Sequence, residues 1–254
     1  MESIPEHLKF SRSAETLEHE GISIEAYLDN LEQDLKEELE RIMRDEKMLG
    51  EGEAGKVFEV HASRSKCQAC VKVWHPHLEK LKSENYLEYR QIQALDPEDE
   101  FNLQDDLYIS GFRNIPRPFA FAKIGNLAIM GMEKVQGYTL QDIKSAGAHI
   151  ANPAWKDLDR LLFELNISHK VLHRDIHKSN IMLRTSDKLA PGGELSGELV
   201  FIDLGRGRKI HGRPTPDDYR LTIGNNVISY TQDKSAVEQL RPNPRTPDTN
   251  IFTR

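Results

Sequence analysis

VLHRDIHKSNIML, residues 171 to 183, decides the reading of this chain. Apolar residues flank it on both sides, so the polar loop from His173 to Asn180 hangs between two buried segments. Within the loop a carboxylate, Asp175, and a carboxamide, Asn180, stand five residues apart and can bracket one reaction centre. Asp175 suits the task of taking or orienting the proton of an attacking hydroxyl, and the side-chain oxygen of Asn180 suits a divalent ion. Twenty-odd residues on, the strand-like LVFID ends in Asp203, followed by Leu204 and Gly205. A carboxylate at the C-terminal end of a strand, with glycine permitting a sharp turn, is a fitting Mg2+ ligand, because a hard cation takes hard oxygen. Met with alone, such an aspartate is as often an ordinary strand-ending turn residue.

Working back toward the N-terminus, LGEGEAGKV at 49 to 57 places glycines at 50, 52 and 55 ahead of Val57. Glycines let a hairpin bring its backbone N–H groups over phosphate oxygens where a Cβ would collide. By itself this is equally a flexible hairpin. KVFEVHA and QACVKVW then read as strands, the second carrying Lys72 between Val71 and Val73. A strand lysine is usually a solvated edge residue; after a glycine-rich hairpin it can reach phosphates, provided a carboxylate holds its ammonium. The spacing of Leu78, Leu81, Leu87, Ile92 and Leu95 predicts one helix closed by Pro97, with Glu88 as first choice for that carboxylate and Glu84 as second. PRPFAFAKI and LAIMGMEKV, joined by Gly125-Asn126, predict two further strands.

Taken in this order, GEGEAGKV, VKV, HRDIHKSN and DLG resemble the signature segments of the protein kinase superfamily. The resemblance covers about residues 48 to 210. It implies an α+β, bilobal kinase-like fold: a five-stranded antiparallel N-lobe sheet plus a helix, and a reduced, mainly helical C-lobe. It further implies that ATP lies between the lobes, beneath Gly50, Gly52 and Gly55, with its adenine against the backbone of the hinge Glu133-Lys134-Val135 behind Met132. Val57 and Cys70 would roof the base and Met182 would floor it. Lys72, paired with Glu88, would hold phosphates; Asn180 and Asp203 would bind Mg2+; Asp175 would be the catalytic base. His173, Leu204 and Ile92 match packing positions that couple the lobes. His177 stands where serine/threonine kinases usually carry lysine, as in many small-molecule kinases, whereas Arg174 follows the protein-kinase form.

The implied activity is ATP- and Mg2+-dependent phosphotransfer, to a serine or threonine hydroxyl of a protein that can be the chain itself. A small-molecule or RNA-associated kinase or ATPase, or a silent nucleotide-binding scaffold, are the alternatives. Only 49 residues follow Gly205 and no APE-like segment is among them, so the chain reads as a minimal kinase, similar to some bacterial effector kinases and to the small kinase of the tRNA-modifying KEOPS complex. The shortened C-lobe leaves a face on which a partner protein can dock.

The divisions expected are an N-terminal helical extension (1 to 46), the N-lobe and hinge (47 to 135), the reduced C-lobe (136 to 240) and a disordered tail (241 to 254). In the first, Ile24, Leu28, Leu31, Leu35, Leu39 and Ile42 form one helical stripe that suits docking on the same molecule better than a coiled coil, since about three heptads lack a sustained a/d pattern. Leu158, Leu161, Leu162, Leu165 and His169 predict another helix; residues 185 to 198 read as a loop; a short helix is expected around Ser235 to Leu240.

Composition narrows the rest. With Lys plus Arg at 34 against Asp plus Glu at 41, the net charge of −7 argues against direct nucleic-acid binding. No apolar run is long enough to span a membrane, and MESIPEHLKF lacks the basic start and apolar core of a signal peptide, so a cytoplasmic protein is expected, with secretion as an effector left open. Two cysteines exclude a disulfide scaffold. Cys67 and Cys70 form C-x-x-C near His75 and His77, a superficial zinc pattern, but strand positions three apart face opposite sides. Thr215, Tyr219, Thr222, Tyr230 and Thr231 are candidate phosphorylation sites with Arg174 as partner, though unmodified loop residues are the commoner case, and the basic run 206 to 213 can meet an acidic or phosphorylated substrate, which a solvated turn explains at least as well.

Overall fold

The computed structural model describes residues 8–10, 47–60, 69–92, 95–124, 127–210, 221–223, 226–228 and 240. Its N-terminal half is built on an antiparallel sheet of strands β1 (Leu8–Phe10), β2 (Met48–Glu51), β3 (Gly55–Val60), β4 (Ala69–Trp74), β5 (Pro118–Ile124) and β6 (Leu127–Glu133). The spatial order is β1-β5-β6-β4-β3-β2. The five expected strands are present, and Leu8–Phe10 adds a sixth on the open edge of β5, within a segment that carries no alternating pattern.

The central strand β4 is buried at all six positions, and its period of two separates two apolar layers. Val71 and Val73 pack with Phe58 and Ile129. Cys70 and Trp74 face the other way, joining Tyr89, Phe101, Phe121 and Met130. Lys72 lies between Cys70 and Trp74 on that second face, its ammonium 4.8 Å from the centre of the Trp74 ring.

The helix expected across 78 to 95 is two helices, α1 (His77–Glu84) and α2 (Tyr86–Ile92). Asn85 breaks it. Its side-chain oxygen accepts from the Glu88 backbone N–H at 3.3 Å and its amide donates to the Glu88 carboxylate at 2.9 Å, so the pair opens α2 in the manner of a capping box. Pro97 does not close this region; it opens a third helix, α3 (Pro97–Ile109), whose first turn carries Glu98, Asp99 and Glu100. Proline at the first helical position costs no hydrogen bond, and acids there meet the positive end of the helix dipole. Helix α3 spans both halves: Phe101 belongs to the core beneath the large sheet, Leu103 and Leu107 to the core of the other lobe. Its contact with Leu204 of the DLG segment runs through that second core, whereas Ile92, expected at this coupling position, packs on the N-lobe layer.

The C-terminal half carries α4 (Leu140–Ser145) and α5 (Asn152–Phe163), the latter ending in a π-helical turn, Glu164–Ser168. Leu158, Leu161 and Leu165 are buried as their spacing requires, and the His169 ring, just beyond the turn, packs edge-on to Phe112. Beside them β7 (Gly137–Thr139), β10 (Ile181–Arg184) and β12 (Glu198–Phe201) form a sheet in the order β12-β10-β7. Four two-residue strands make two small ladders: β8 (His149–Ile150) with β11 (Glu194–Leu195), and β9 (Val171–Leu172) with β13 (Arg208–Lys209). Residues 185 to 198 are thus not all loop, since β11 lies among them. A hairpin, β14 (Leu221–Ile223) with β15 (Asn226–Ile228), contains Thr222.

The stripe at 24 to 42, Thr215, Tyr219, Tyr230, Thr231, the tail and most of the helix expected at 235 to 240 lie outside the described residues; Leu240 packs against the C-lobe core. Among the described residues no helix is long and apolar enough to cross a membrane.

Candidate active site

A lysine on a buried strand must be paired or give up its charge. The Lys72 side chain is 7% exposed, and its nitrogen lies 2.7 Å from Glu100 Oε1 and 3.0 Å from Asp203 Oδ1. Burial alone would lower the lysine pKa, but Asp203 and Glu100 outweigh it and hold the ammonium above its ordinary value. Burial likewise pushes the Asp203 carboxyl up, and Lys72 with the Gly205 N–H overcomes it, bringing Asp203 to about 2. Glu88, expected as the lysine's partner, is spent on capping α2 at the surface. Glu84, the second choice, is a surface residue facing Lys80 at 3.8 Å. The partner is Glu100, one helix later and almost completely buried.

The loop from His173 to Asn180 faces this trio. Asn180 donates from its amide nitrogen to the Asp175 carbonyl at 3.0 Å and to Asp175 Oδ2 at 3.1 Å, and its backbone carbonyl accepts from Ile202 N–H at 3.0 Å, which ties the loop to the strand leading into Asp203. Arg174 (φ 66°) and Asp203 (φ 61°) both adopt left-handed backbone, a strained conformation for residues with a Cβ and one that clusters at functional sites. His173 is fully buried, one ring nitrogen 3.1 Å from the Ile202 carbonyl and the ring tilted against Phe201, the orienting core role expected of it. Burial would raise the Asp175 carboxyl, but the His177 ring 3.7 Å away and the charges of Arg206 and His173 hold it below its ordinary value. The same contact with Asp175 raises His177.

The donor set fits a divalent ion. Both hydrogen bonds from the Asn180 side chain leave its nitrogen, so among the described residues its oxygen accepts none. The bonds to Asp203 fall on Oδ1, from Lys72 and from Gly205 N–H at 3.2 Å, and among the described residues its second oxygen likewise accepts none, with 46% of the side chain exposed. One carboxamide oxygen and one carboxylate oxygen left without a hydrogen bond suit Mg2+, which also keeps water and phosphate oxygens around it.

Above the cleft, Gly52 N–H donates to the Gly55 carbonyl at 2.9 Å to close the β2–β3 hairpin. Nothing stands within 4 Å of where a Cβ would sit on Gly50 or Gly52, while one on Gly55 would lie 2.4 Å from the Val73 carbonyl oxygen. The first two glycines therefore leave open space over the cleft, and the third permits close packing of β3 on β4.

Val57 pairs with Lys72 and Cys70 with Met132, so the residues expected around a flat base stand on adjacent strands. Val135 is buried below them, and Met182 is half-buried on β10. Burial, with Glu133 beside it, pushes the Cys70 thiol up to about 12, which makes it an inert packing group; Cys67 lies outside the described residues. In the hinge, the Glu133 carboxylate is held by Arg184 at 2.9 and 3.2 Å and by Arg117 N–H at 3.1 Å. The Glu133 N–H is already bonded to the Arg117 carbonyl at 2.8 Å, so only later hinge positions can offer a free backbone donor to a base. Lys134 pairs with Glu59 of β3.

A family model described as the ABC1 atypical kinase-like domain matches residues 108–239, more than half of the 254. The chain belongs to this family. The kinase-like fold expected from the sequence is therefore the fold of the chain. The match contains Asp175, Asn180 and Asp203 but starts near the end of α3, so Lys72 and Glu100 come to the site through the fold and not through the matched segment. Two crystal structures of the PknI kinase domain of Mycobacterium tuberculosis, a double and a single mutant, are similar at 16% and 18% identity. Each covers 75% of this chain, and 67% and 68% of its own, with a TM-score of 0.46. No curated protein sequence matches.

Two site residues, Glu100 and Arg206, are not among those the sequence motifs point to. Glu100 was legible in principle: Asp96-Pro97 followed by three acids is a helix-start signal, and its fourth position lands one turn into a helix that must pack on the sheet. Arg206 carries no sequence signal beyond its place in a basic run. Its placement depends on the turn after Asp203, which sequence spacing does not define.

Proposed function

We propose that the chain is an ATP- and Mg2+-dependent phosphotransferase acting on a serine or threonine hydroxyl of a protein, the chain itself included. The observation that carries this reading is the Lys72 ammonium held between Glu100 and Asp203 at 2.7 and 3.0 Å, opposite a loop in which Asn180 orients Asp175. A buried, permanently charged ammonium beside an aspartate with an open oxygen is suited to a polyphosphate and its cation, and to little else. Lys72 would bind and orient phosphate oxygens. Glu100 keeps the ammonium in position and charged. Asn180 and Asp203 would hold the divalent ion, which when bound neutralises charge on the transferring group. Asp175 would accept the proton of the acceptor hydroxyl as that oxygen bonds to phosphorus and the bond to the departing nucleoside diphosphate breaks. Its carboxylate is ionised at neutral pH, so it is ready to accept; its lowered pKa makes it an orienting, weak base, adequate for a transfer that asks mostly for positioning.

His177 favours a second reading, transfer to a small-molecule hydroxyl. It stands two residues past Asp175, where protein kinases usually carry lysine, and is half exposed with a ring nitrogen 3.7 Å from Asp175 Oδ2. Incubation with ATP labelled at the γ-phosphate and Mg2+ tests both. Label on protein with wild type and none with Asp175→Asn supports protein transfer. Label on an added small alcohol alone supports the second reading. Nucleotide binding with no turnover by wild type overturns both.

A further inference from the structure

The turn after Asp203 is built with unusual rigidity for a connection. Gly205 N–H donates to Asp203 Oδ1 at 3.2 Å, the Gly205 carbonyl accepts from Leu95 N–H at 2.9 Å, and Gly207 N–H returns to the Leu204 carbonyl at 2.7 Å. Leu204 is buried, and a Cβ on Gly207 would lie 2.8 Å from Leu103 of α3, so this backbone sits hard against that helix. Residues 208 and 209 then enter the β13–β9 ladder. Pinned on both sides, Arg206 has its Cα fixed and its side chain aimed across the cleft. One guanidinium nitrogen, Nη1, lies 3.4 Å from Asp175 Oδ1 on the catalytic loop; the other, Nη2, lies 3.5 Å from Glu53 Oε2 at the tip of the glycine-rich hairpin. One cation thus spans two carboxylates that belong to different lobes.

We propose that Arg206 is a positioning residue that draws the glycine-rich hairpin down over the catalytic loop and so sets how firmly a nucleotide is held in the cleft. This rests on the proposed phosphotransfer only for its nucleotide consequence; the strap itself is a property of the free protein. A planar guanidinium can serve two acceptors at once with separate nitrogens, which a lysine ammonium does less well. The Arg206 and Asp175 side chains are 23% and 25% exposed, so their end of the strap is the shielded one; Glu53 is 74% exposed, so its end is weak and opens readily. A strap firm at its base and loose at its tip admits a ligand and then closes behind it.

The test compares full-length wild type with Glu53→Gln, Arg206→Gln, the double variant and Arg206→Lys. Amide hydrogen exchange over residues 49 to 55, in nucleotide-free protein, reads the strap directly. Because an exposed ion pair is weak, each single substitution to Gln is expected to speed exchange at the hairpin tip about two- to five-fold. The double variant should add no more than Arg206→Gln alone, since both singles break the same Arg206–Glu53 contact to the hairpin, and Arg206→Lys should fall between wild type and Arg206→Gln. The release rate of a fluorescent ATP analogue with Mg2+ should rise in the same order. Glu53→Gln alters an exposed tip and leaves folding intact, so it keeps the test valid even if Arg206→Gln disturbs the turn. Unchanged exchange in Glu53→Gln, or a double variant equal to the product of the singles, overturns the strap. Failure of wild type to bind the analogue, with the exchange pattern as expected, would instead defeat the proposed function and leave the strap standing.

Discussion

Replacing Glu100 by glutamine removes one charge and no volume, so the loss measures the ion pair and not a cavity. In the native protein Lys72 is 7% exposed and Glu100 1%, with 2.7 Å between nitrogen and oxygen. A hydrogen bond to a charged group contributes roughly 1.5 to 3 kcal/mol net, and breaking a fully buried pair can cost about 3 to 5 kcal/mol. Here Lys72 keeps Asp203, a carboxylate half open to the cleft, as second partner at 3.0 Å. The expected loss is therefore about 2 to 3 kcal/mol, a fall of about 4 to 12 °C in Tm for a chain of this size. Urea and thermal unfolding of Glu100→Gln beside Glu88→Gln provide the assay, the second variant losing less than about 1 kcal/mol because it only weakens an exposed cap.

The pH dependence fixes the sign. The folded Lys72 pKa is raised, so the pair's stabilisation is complete below the unfolded lysine value of about 10.4 and is lost as pH climbs through the higher folded value. The gap between wild type and Glu100→Gln should hold steady from neutral pH to about 10 and shrink above it. A Glu100→Gln variant as stable as Glu88→Gln, or a gap that closes near neutrality, would refute the reasoning.

Three further outcomes follow from local geometry. Gly137→Ala should cost about 2 kcal/mol or more, read from urea midpoints, because φ is +142° and the added Cβ would lie 1.9 Å from the Leu183 carbonyl oxygen. Arg184→Lys should lose about 1 kcal/mol, because Nη2 meets both Glu133 oxygens at 2.9 and 3.2 Å while Nη1 meets Glu198 at 2.8 Å, two carboxylates that a single ammonium serves less well, and a double-mutant cycle with Glu133→Gln should show coupling. Burial would raise Asp96, but the Tyr89 hydroxyl at 2.6 Å and Lys82 at 2.9 Å lower it, so its contribution is present above the unfolded value near about 3.9 and lost as pH falls through the lower folded one. Asp96→Asn should flatten the acid limb of the stability curve below about pH 4, by less than about 1 kcal/mol given its 39% exposure.

The parts of the site that are legible in sequence share one property: their chemistry and their spacing are set within a single continuous segment. Asp175 and Asn180 lie in one loop, and Asp203 closes one strand, so residue type and offset suffice. The main strands are legible because their valine and aromatic runs suit a pleated backbone, and β4, apolar at every position but Lys72, is buried on both faces. The lysine's partner is not, because that choice depends on which of several helices lies over the sheet. Asn85 decides it: by capping α2 with Glu88 it ends the apparent long helix, turns that glutamate outward, and hands the position over the sheet to α3. Apolar spacing across 78 to 95 runs through this break without a signal, since α1 and α2 each bury a similar stripe. The sixth strand at 8–10 is illegible for another reason: an edge strand takes its stability from backbone pairing with β5, which any short segment can supply.

Helix α3 places Phe101 and Leu103, two residues apart, in different cores. A rod wedged this way cannot roll or slide without unseating one core or the other, and the carboxylate of Glu100 is fastened to that rod. Packing faults far from the cleft, at Phe121 above or Phe201 below, should consequently surface as a misplaced ammonium at Lys72. In this molecule the integrity of two separate interiors is reported at a single charge.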